Sequence, residues 1–276
     1  MTGGARLSRW ATALVTGASS GIGEAIARQL AAEGTDLVVV ARDTERLDAL
    51  AAELSDRHGV QVEVIGADLS APVSRSSVEK RLADRARPVD LLVNNAGFGT
   101  AGRFVELAVG REEQQVQLNV VAVLRLTSVA LAGMVERGRG AVLNVASIAA
   151  VLPAADSATY AATKAFVCSF TESLHDELAG TGVTATVSLP GFTRTEFQAR
   201  ADWTEQDHVP DRAWLSAEQV AAASLDGAAA GAARVVPGAG YKVLVGVAEV
   251  MPSAPKRWAA AGVRRLAGRG RGQTLR

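Results

Sequence analysis

The 276-residue chain has a single cysteine, Cys168, which excludes an internal disulfide and suits a reducing compartment. Histidine is almost as scarce. His58, His175 and His208 lie far apart and share no metal-ligand spacing, so each reads as a surface or core residue and no metal is expected. Neither sign of charge is in excess, with 29 Lys and Arg against 29 Asp and Glu, which points to no nucleic acid or other highly charged partner. No apolar run reaches the ~18 residues of a spanning helix. Met1 to Trp10 lacks the apolar stretch of a signal peptide and reads as a short disordered leader. A cytoplasmic location is expected.

What the chain does have is apolar residues, at 48%, enough for one large core. Short β-branched runs alternate with longer Ala- and Leu-rich stretches. The runs at 12–15, 37–40, 62–65, 91–93, 141–145 and 183–189 read as strands, several of them apolar at consecutive positions, as strands covered on both faces are. Between them, 23–33, 44–58, 76–85, 112–137 and 159–179 read as helices. Strict alternation implies right-handed crossovers and a parallel sheet with helices on both faces. The expected fold is therefore a single α/β domain over residues 11–250, doubly wound, with about seven strands. Phe192 to Leu215 is polar and aperiodic, and reads as either a lid or a disordered loop. Ser216 followed by Gln219 is a capping box opening a helix over 216–227, and Val235-Val236 is a candidate last strand.

From Lys256 to Arg276 there are seven Lys or Arg and no acid, which leaves the rest of the chain at about −7. Residues 254–267 read as helix. This basic tail, 251–276, either lies on an anionic membrane surface or is a solvated end; the glycines at 268, 270 and 272 favour the second for its last ten residues.

Thr16-Gly17-Ala18-Ser19-Ser20-Gly21-Ile22-Gly23 lies between the first strand and the first helix. Glycines there permit a tight turn and let backbone N–H groups approach a pyrophosphate, which a helix N-terminus also attracts. Beyond the second strand, where a reader of the ribose 2′-hydroxyl would place Asp or Glu, the chain has Ala41 and then Arg42. A guanidinium there suits a 2′-phosphate, hence NADP(H). The competing readings are that Arg42 is a solvated helix-entry residue and that Asp43 is a cap or the ribose reader. Asp68-Leu69 ends the third strand, and Asn94-Asn95-Ala96-Gly97 follows the fourth.

Tyr160 and Lys164, four apart on an expected helix, share one face. An ammonium beside a phenol lowers its pKa by about 1–3 units, toward proton exchange near neutrality. Ser147 falls at the carboxyl end of the fifth strand, where open α/β sheets bind ligands. Asn119 is a polar residue within an apolar helical stretch, read either as a satisfied core amide or as the mark of a helix irregularity. Ser147 lacks the flanking glycines of a hydrolase nucleophile elbow, which argues against a Ser–Lys hydrolase.

Over roughly residues 10 to 195 these motifs, in this order, resemble the short-chain dehydrogenase/reductase family. The glycine spacing, Asp68-Leu69, Asn95-Ala96-Gly97 and the set Asn119, Ser147, Tyr160 and Lys164 all match it. The resemblance implies a Rossmann-like domain with NADP(H) bound by Gly17, Ser19, Ser20, Gly21, Ile22, Gly23, Arg42, Asp68, Leu69, Asn95, Ala96 and Gly97. It adds Tyr160, Lys164 and the segment Pro190, Gly191, Thr193 and Thr195 around the nicotinamide. It implies Tyr160 as general acid/base, Lys164 as its tuner and ribose anchor, Ser147 as the orienter of the substrate oxygen, and Asn119 as holder of a relay water. The substrate is expected to be a small hydrophobic or aromatic ketone or alcohol bordered by Phe98, Ala149, Ala150, Val151 and Phe192. A homodimer or homotetramer is expected through the helices at 112–137 and 159–179, with Val167, Cys168 and Phe170 toward the partner. The second reading is a NADP(H)-binding regulatory protein with little turnover. The C-terminal third departs from the acyl-carrier-protein ketoreductases of the family, which end in a short strand.

Overall fold

Seven strands pair in parallel in the order β3-β2-β1-β4-β5-β6-β9. They are β1 (Thr12–Thr16), β2 (Asp36–Ala41), β3 (Val62–Gly66), β4 (Leu91–Asn94), β5 (Gly140–Val145), β6 (Val183–Ser188) and β9 (Arg234–Val235). A further pair, β7 (Thr193–Arg194) and β8 (Leu215–Ser216), stands apart from the sheet. The structure, a computed structural model, describes residues 8–152, 155–197, 201 and 209–251. The tail helix expected over 254–267, His208 and the middle of the segment 192–215 lie outside the described residues.

Alternation along each strand sends side chains to two helical layers. Ala13, Val15, Val39, Leu91 and Leu143 meet Ile26 and Leu30 of α1 (Gly21–Ala32), Leu47, Leu50 and Leu54 of α2 (Thr44–His58), and Leu225 of the helix Ala217–Ala229. Leu14, Val38, Val40, Leu92 and Val142 meet Val78 and Leu82 of α3 (Pro72–Ala83) and Leu126, Ala130 and Met134 of α5 (Val123–Arg137). The doubly wound α/β fold expected from the sequence is the one observed.

The sheet order reverses between β1 and β4, since β1 is followed by β2 on one side and β4 lies on the other. A crevice opens there at the carboxyl ends of the strands, where ligands bind in such sheets.

Several local expectations need correction. Of the leader expected over residues 1–10, residues 1–7 lie outside the described residues, and the rest is ordered: Trp10 is buried against the first layer, Ser8 hydrogen-bonds Thr35 at 2.6 Å and Arg9 pairs with Glu33 and Asp226. A tryptophan just before a central strand has core to bury against. α3 begins four residues earlier than expected because Pro72 fits the first helical turn. The helix expected over 112–137 starts at Val109 as α4 (Val109–Val116), passes through a π-helical turn at Gln117–Ala122 and continues as α5. That stretch, Val109–Arg137, is long and apolar enough by composition to cross a membrane, yet α5 is packed on the sheet. The helix Ala239–Val250 went unforeseen, hidden by Gly238 and Gly240 at its start. The capping box at Ser216 and Gln219 is present in both directions.

Candidate active site

The crevice is built from the ends of β1, β4 and β5. Thr16 Oγ1 donates to the Val93 carbonyl at 3.1 Å and accepts from the N–H groups of Asn95 and Ala96, each at 3.0 Å. Asn95 Nδ2 in return donates to the carbonyls of Thr16 and Gly17. The side chain of Asn95 therefore ties the two strand-end turns together. Gly17 adopts φ +68°, and a Cβ there would lie 2.8 Å from Asn95 Nδ2, so only glycine fits that turn.

α1 opens directly from the turn. Its N-cap, Ser20, makes no side-chain capping bond, so the first-turn N–H groups around Gly21, Ile22 and Gly23 point out of the helix end without that partner. Ser19 and Ser20 are half-buried beside them. Thr195 packs against the same turn, 3.0 Å from where a Cβ on Gly21 would stand.

Past β2, Arg42 is exposed and forms no hydrogen bond or ion pair among the described residues. Asp43 is a helix cap: its carboxylate accepts from Arg46 N at 3.1 Å. Asp68 accepts from the N–H and the hydroxyl of Ser70, and those bonds, with the positive charge of Arg42 nearby, hold its carboxyl below the usual range. Leu69 is buried in the second layer. These residues mark one end of the crevice.

The other end is formed by β5 and α6 (Ala158–Glu177). Tyr160 is buried, and its phenol lies beside the Ser147 side chain, which favours the phenolate. Lys164, one turn further along α6 and also buried, donates to the Val145 carbonyl at 2.9 Å, with Nζ 5.8 Å from the centre of the Tyr160 ring. Asn119, in the π-helical turn, accepts from Phe98 N and donates to Phe98 O at 2.9 Å and to Thr163 Oγ1 at 3.1 Å. Thr163 Oγ1 donates in turn to the Tyr160 carbonyl. A Cβ on Gly97 would stand 3.0 Å from Asn119 Oδ1 and 3.5 Å from Lys164 Nζ. The four residues picked out on the expected helix and strand ends thus converge on one place. Both readings of Asn119 hold, since its amide is satisfied and the helix around it is irregular.

Pro190, Gly191, Thr193 and Thr195 cross between the two ends. The Pro190 carbonyl accepts from Ile148 N at 3.0 Å, next to Ser147, and Thr193 Oγ1 donates to the Gly191 carbonyl. Residues that sequence reasoning missed complete the surroundings. The Phe197 ring lies 5.6 Å from that of Tyr160, whereas Phe192, expected at the substrate, packs against Trp214. Tyr241 bonds to Phe192 N from the unforeseen helix Ala239–Val250. Phe197 stands two residues past Thr195, a nearness that an aromatic search around the motif would have caught. Trp214 and Tyr241 carry no local signal.

The electrostatics differ from the expectation that Lys164 lowers the Tyr160 pKa. Burial pushes the phenol up to about 12, opposed only by the neighbouring Ser147 hydroxyl, and pushes the Lys164 ammonium down to about 8. In the ligand-free chain desolvation outweighs any help the ammonium gives the phenolate.

A fold with its ligand crevice at the switch between β1 and β4, a glycine turn feeding a helix N-terminus, and a Tyr–Lys pair on α6 defines a dinucleotide-type α/β oxidoreductase. The family model for short chain dehydrogenases matches residues 11–206, and the chain belongs to the short-chain dehydrogenase/reductase family. It is 38% identical over 220 residues to sulfoacetaldehyde reductase 2 of Chromohalobacter salexigens, covering 75% of this chain and 84% of that one. Among solved structures it is similar to a short-chain dehydrogenase from Sphingobium yanoikuyae in complex with NADPH, at 35% identity and a TM-score of 0.78, over 96% of this chain and 98% of that one. It also resembles a bulky-bulky ketone specific alcohol dehydrogenase from Comamonas testosteroni, at 30% identity and a TM-score of 0.73, over 96% of each chain.

The shifted pKa values make a prediction. Below about pH 8 Lys164 is protonated in both the folded and unfolded chain. Between about 8 and the usual lysine value of 10.5 the folded state has released a proton that the unfolded state keeps, so this group makes stability rise with pH. Tyr160 acts oppositely between the usual 10 and about 12, where the folded state keeps the proton and stability falls. Lys164→Met is expected to be more stable than the wild type at pH 7, on the order of 1–3 kcal/mol, and to lose the rise above pH 8. Urea unfolding at pH 7, 8.5 and 9.5 checks this; parallel curves for both proteins would refute it.

Proposed function

We propose that the protein is a NADP(H)-dependent oxidoreductase that interconverts a hydroxyl and a carbonyl on a small hydrophobic or aromatic molecule, with Tyr160 as acid/base. The observation that carries this is the convergence at the carboxyl end of β5 of the Tyr160 phenol and the Ser147 hydroxyl, with Lys164 one helical turn away and bonded to the Val145 carbonyl. The residues present fit a dinucleotide. The glycine turn would be filled by a Cβ, α1 has no side-chain cap, and a guanidinium that makes no hydrogen bond or ion pair among the described residues stands at the end of β2. When bound, the nicotinamide supplies or accepts the hydride.

The chain's own residues handle the proton. In reduction the Tyr160 hydroxyl donates to the carbonyl oxygen, and in oxidation the phenolate takes the proton back. Ser147 donates a hydrogen bond to the same oxygen and fixes its place. Lys164 holds the ribose and, through a water shared with Asn119 Oδ1, restores the proton to Tyr160. Phe197, beside the Tyr160 ring, and Phe98 give the substrate an apolar wall. Tyr160→Phe is expected to cut turnover of NADPH with a ketone panel by roughly 10²–10⁴, with NADPH affinity held within about threefold. Lys164→Ala should damage both. Equal loss of NADPH binding in the two variants would sink these roles, and a wild type that binds NADPH yet reduces no ketone would favour the regulatory reading.

Arg42 is assigned to the adenosine 2′-phosphate. It makes no hydrogen bond or ion pair among the described residues, and the Asp43 carboxylate is turned to capping α2. A charge-assisted bond to phosphate is worth about 1.5–3 kcal/mol, or roughly ten- to hundredfold in preference. Ala41→Asp combined with Arg42→Leu should reverse the ratio of kcat/KM with NADPH to that with NADH. A wild type that prefers NADH would show Arg42 to be a solvated surface residue.

Self-association is proposed through the outer faces of α5 and α6, with a change of residues from those expected. Val167 and Cys168 are buried in their own core, whereas Phe166 is exposed and stacks on Phe170, with Leu124 and Val135 exposed on α5. Sedimentation should show a dimer or tetramer at micromolar concentration, and Phe166→Glu should shift it toward monomer. A monomeric wild type would end the proposal.

A further inference from the structure

The segment Pro190–Thr195 spans the crevice. One end is tied beside Ser147 by the bond from Ile148 N to the Pro190 carbonyl, and the other rests on the glycine turn through Thr195 and Gly21. Among the described residues its middle pairs with β8, Thr193 opposite Leu215 and Arg194 opposite Ser216, and not with the seven-stranded sheet. Leu215 N donates to the Phe192 carbonyl at 2.9 Å. The partner of the Phe192 N–H comes from elsewhere. It is the hydroxyl of Tyr241, at 3.1 Å, on the first turn of the helix Ala239–Val250. The same hydroxyl donates to the Ala213 carbonyl at 2.7 Å. One phenol thus joins two stretches of main chain that are 21 residues apart.

The ring is held as closely as the hydroxyl. A Cβ on Gly191 would lie 2.2 Å from Tyr241 Cζ, so the backbone at 191 lies flat against the aromatic face and any side chain there would displace it. On its other edge the Tyr241 ring touches the space beside Gly238, 3.4 Å from a Cβ built there. Phe192, held at its N–H by Tyr241 and at its carbonyl by Leu215, packs its own ring against Trp214 at 5.6 Å, and Arg194 lies over the same indole. The hydroxyl therefore closes a frame in which residues 191–194 and 213–216 fix each other.

We propose that Tyr241 is a positioning residue that holds Gly191–Arg194 in the conformation the cofactor and substrate meet, acting through its bonds to Phe192 and Ala213. This role rests on the functional reading of the same site. Without the hydroxyl, Phe192 N loses its partner in a half-buried place and the link from Phe192 to Ala213 is gone, so the centre of the segment is left to its pairing with Leu215–Ser216 alone on that side. Chemistry at Tyr160 and Ser147 is untouched, so the cost falls on binding.

Tyr241→Phe tests this, because it keeps the ring against Gly191 and removes only the two hydrogen bonds. In the ligand-free protein, amide hydrogen exchange at Phe192 should quicken by about tenfold or more, while amides of α1 and β1 stay unchanged. The KM for a ketone and the Kd for NADPH, read by cofactor fluorescence, should each rise about five- to thirtyfold, with kcat falling much less. Gly191→Ala, which pushes the ring away with its hydroxyl intact, should move the same quantities the same way. Unchanged exchange at Phe192 overturns the proposal, and so does faster exchange with KM and Kd at wild-type values. A fall in kcat equal to the rise in KM would also overturn it, since that assigns Tyr241 to the chemistry. If the wild type binds no NADPH, the functional reading fails by itself, and the exchange measurement still decides whether Tyr241 holds the segment.

Discussion

The hydroxyl of Thr16 is the point on which the site depends. It lies at the last residue of β1, donates across the switch point to Val93 and accepts two N–H groups from the turn after β4. Two parallel strands that belong to opposite halves of the sheet are thereby held at one fixed separation where their carboxyl ends would otherwise splay. Asn95 completes the tie by reaching back to the carbonyls of Thr16 and Gly17. The shape of the glycine turn and the start of α1 follow from that junction. Buried groups of this kind are costly to leave unpaired, so the arrangement behaves as a unit.

A second polar chain runs beneath the end of the crevice that holds Tyr160. Asn94 Nδ2 donates to Thr127 Oγ1 and to Asn144 Oδ1, Asn144 Nδ2 donates to Thr171 Oγ1, and Thr171 closes on the Val167 carbonyl. These residues are buried, and they link β4, β5, α5 and α6 by directed bonds where apolar packing alone would permit sliding. The consequence reaches the site, because α6 carries Tyr160 and Lys164 and β5 ends at the carbonyl that holds Lys164.

Periodicity made the sheet legible, since strands covered on both faces read as unbroken apolar runs and the helices between them as amphipathic stretches. The proposed catalytic set was picked out through its resemblance to a family, and the structure brings its four residues together, with Tyr160 and Lys164 one turn apart on α6. What escaped was whatever depends on tertiary context. Asn119 marked an irregularity in its helix, but the extent of the π-helical turn, Gln117–Ala122, is set by neighbours that composition does not name. Val167 and Cys168 were turned to the wrong side by a one-residue uncertainty in helix phase, which on α6 separates Phe166 outside from Val167 inside. The helix at 239–250 was concealed by glycines that serve as its entry. The balance of pKa shifts at Tyr160 depends on how much water the fold excludes, which residue spacing does not reveal.

The absent cap at Ser20 has a consequence for the solution around the protein. A helix end whose first-turn N–H groups lack a side-chain cap presents about half a positive charge to whatever anion is at hand. Inorganic phosphate or sulfate in a buffer is such an anion, and mass action makes it a competitor for the cradle. The apparent strength with which this chain holds any dinucleotide therefore belongs jointly to the protein and to its electrolyte.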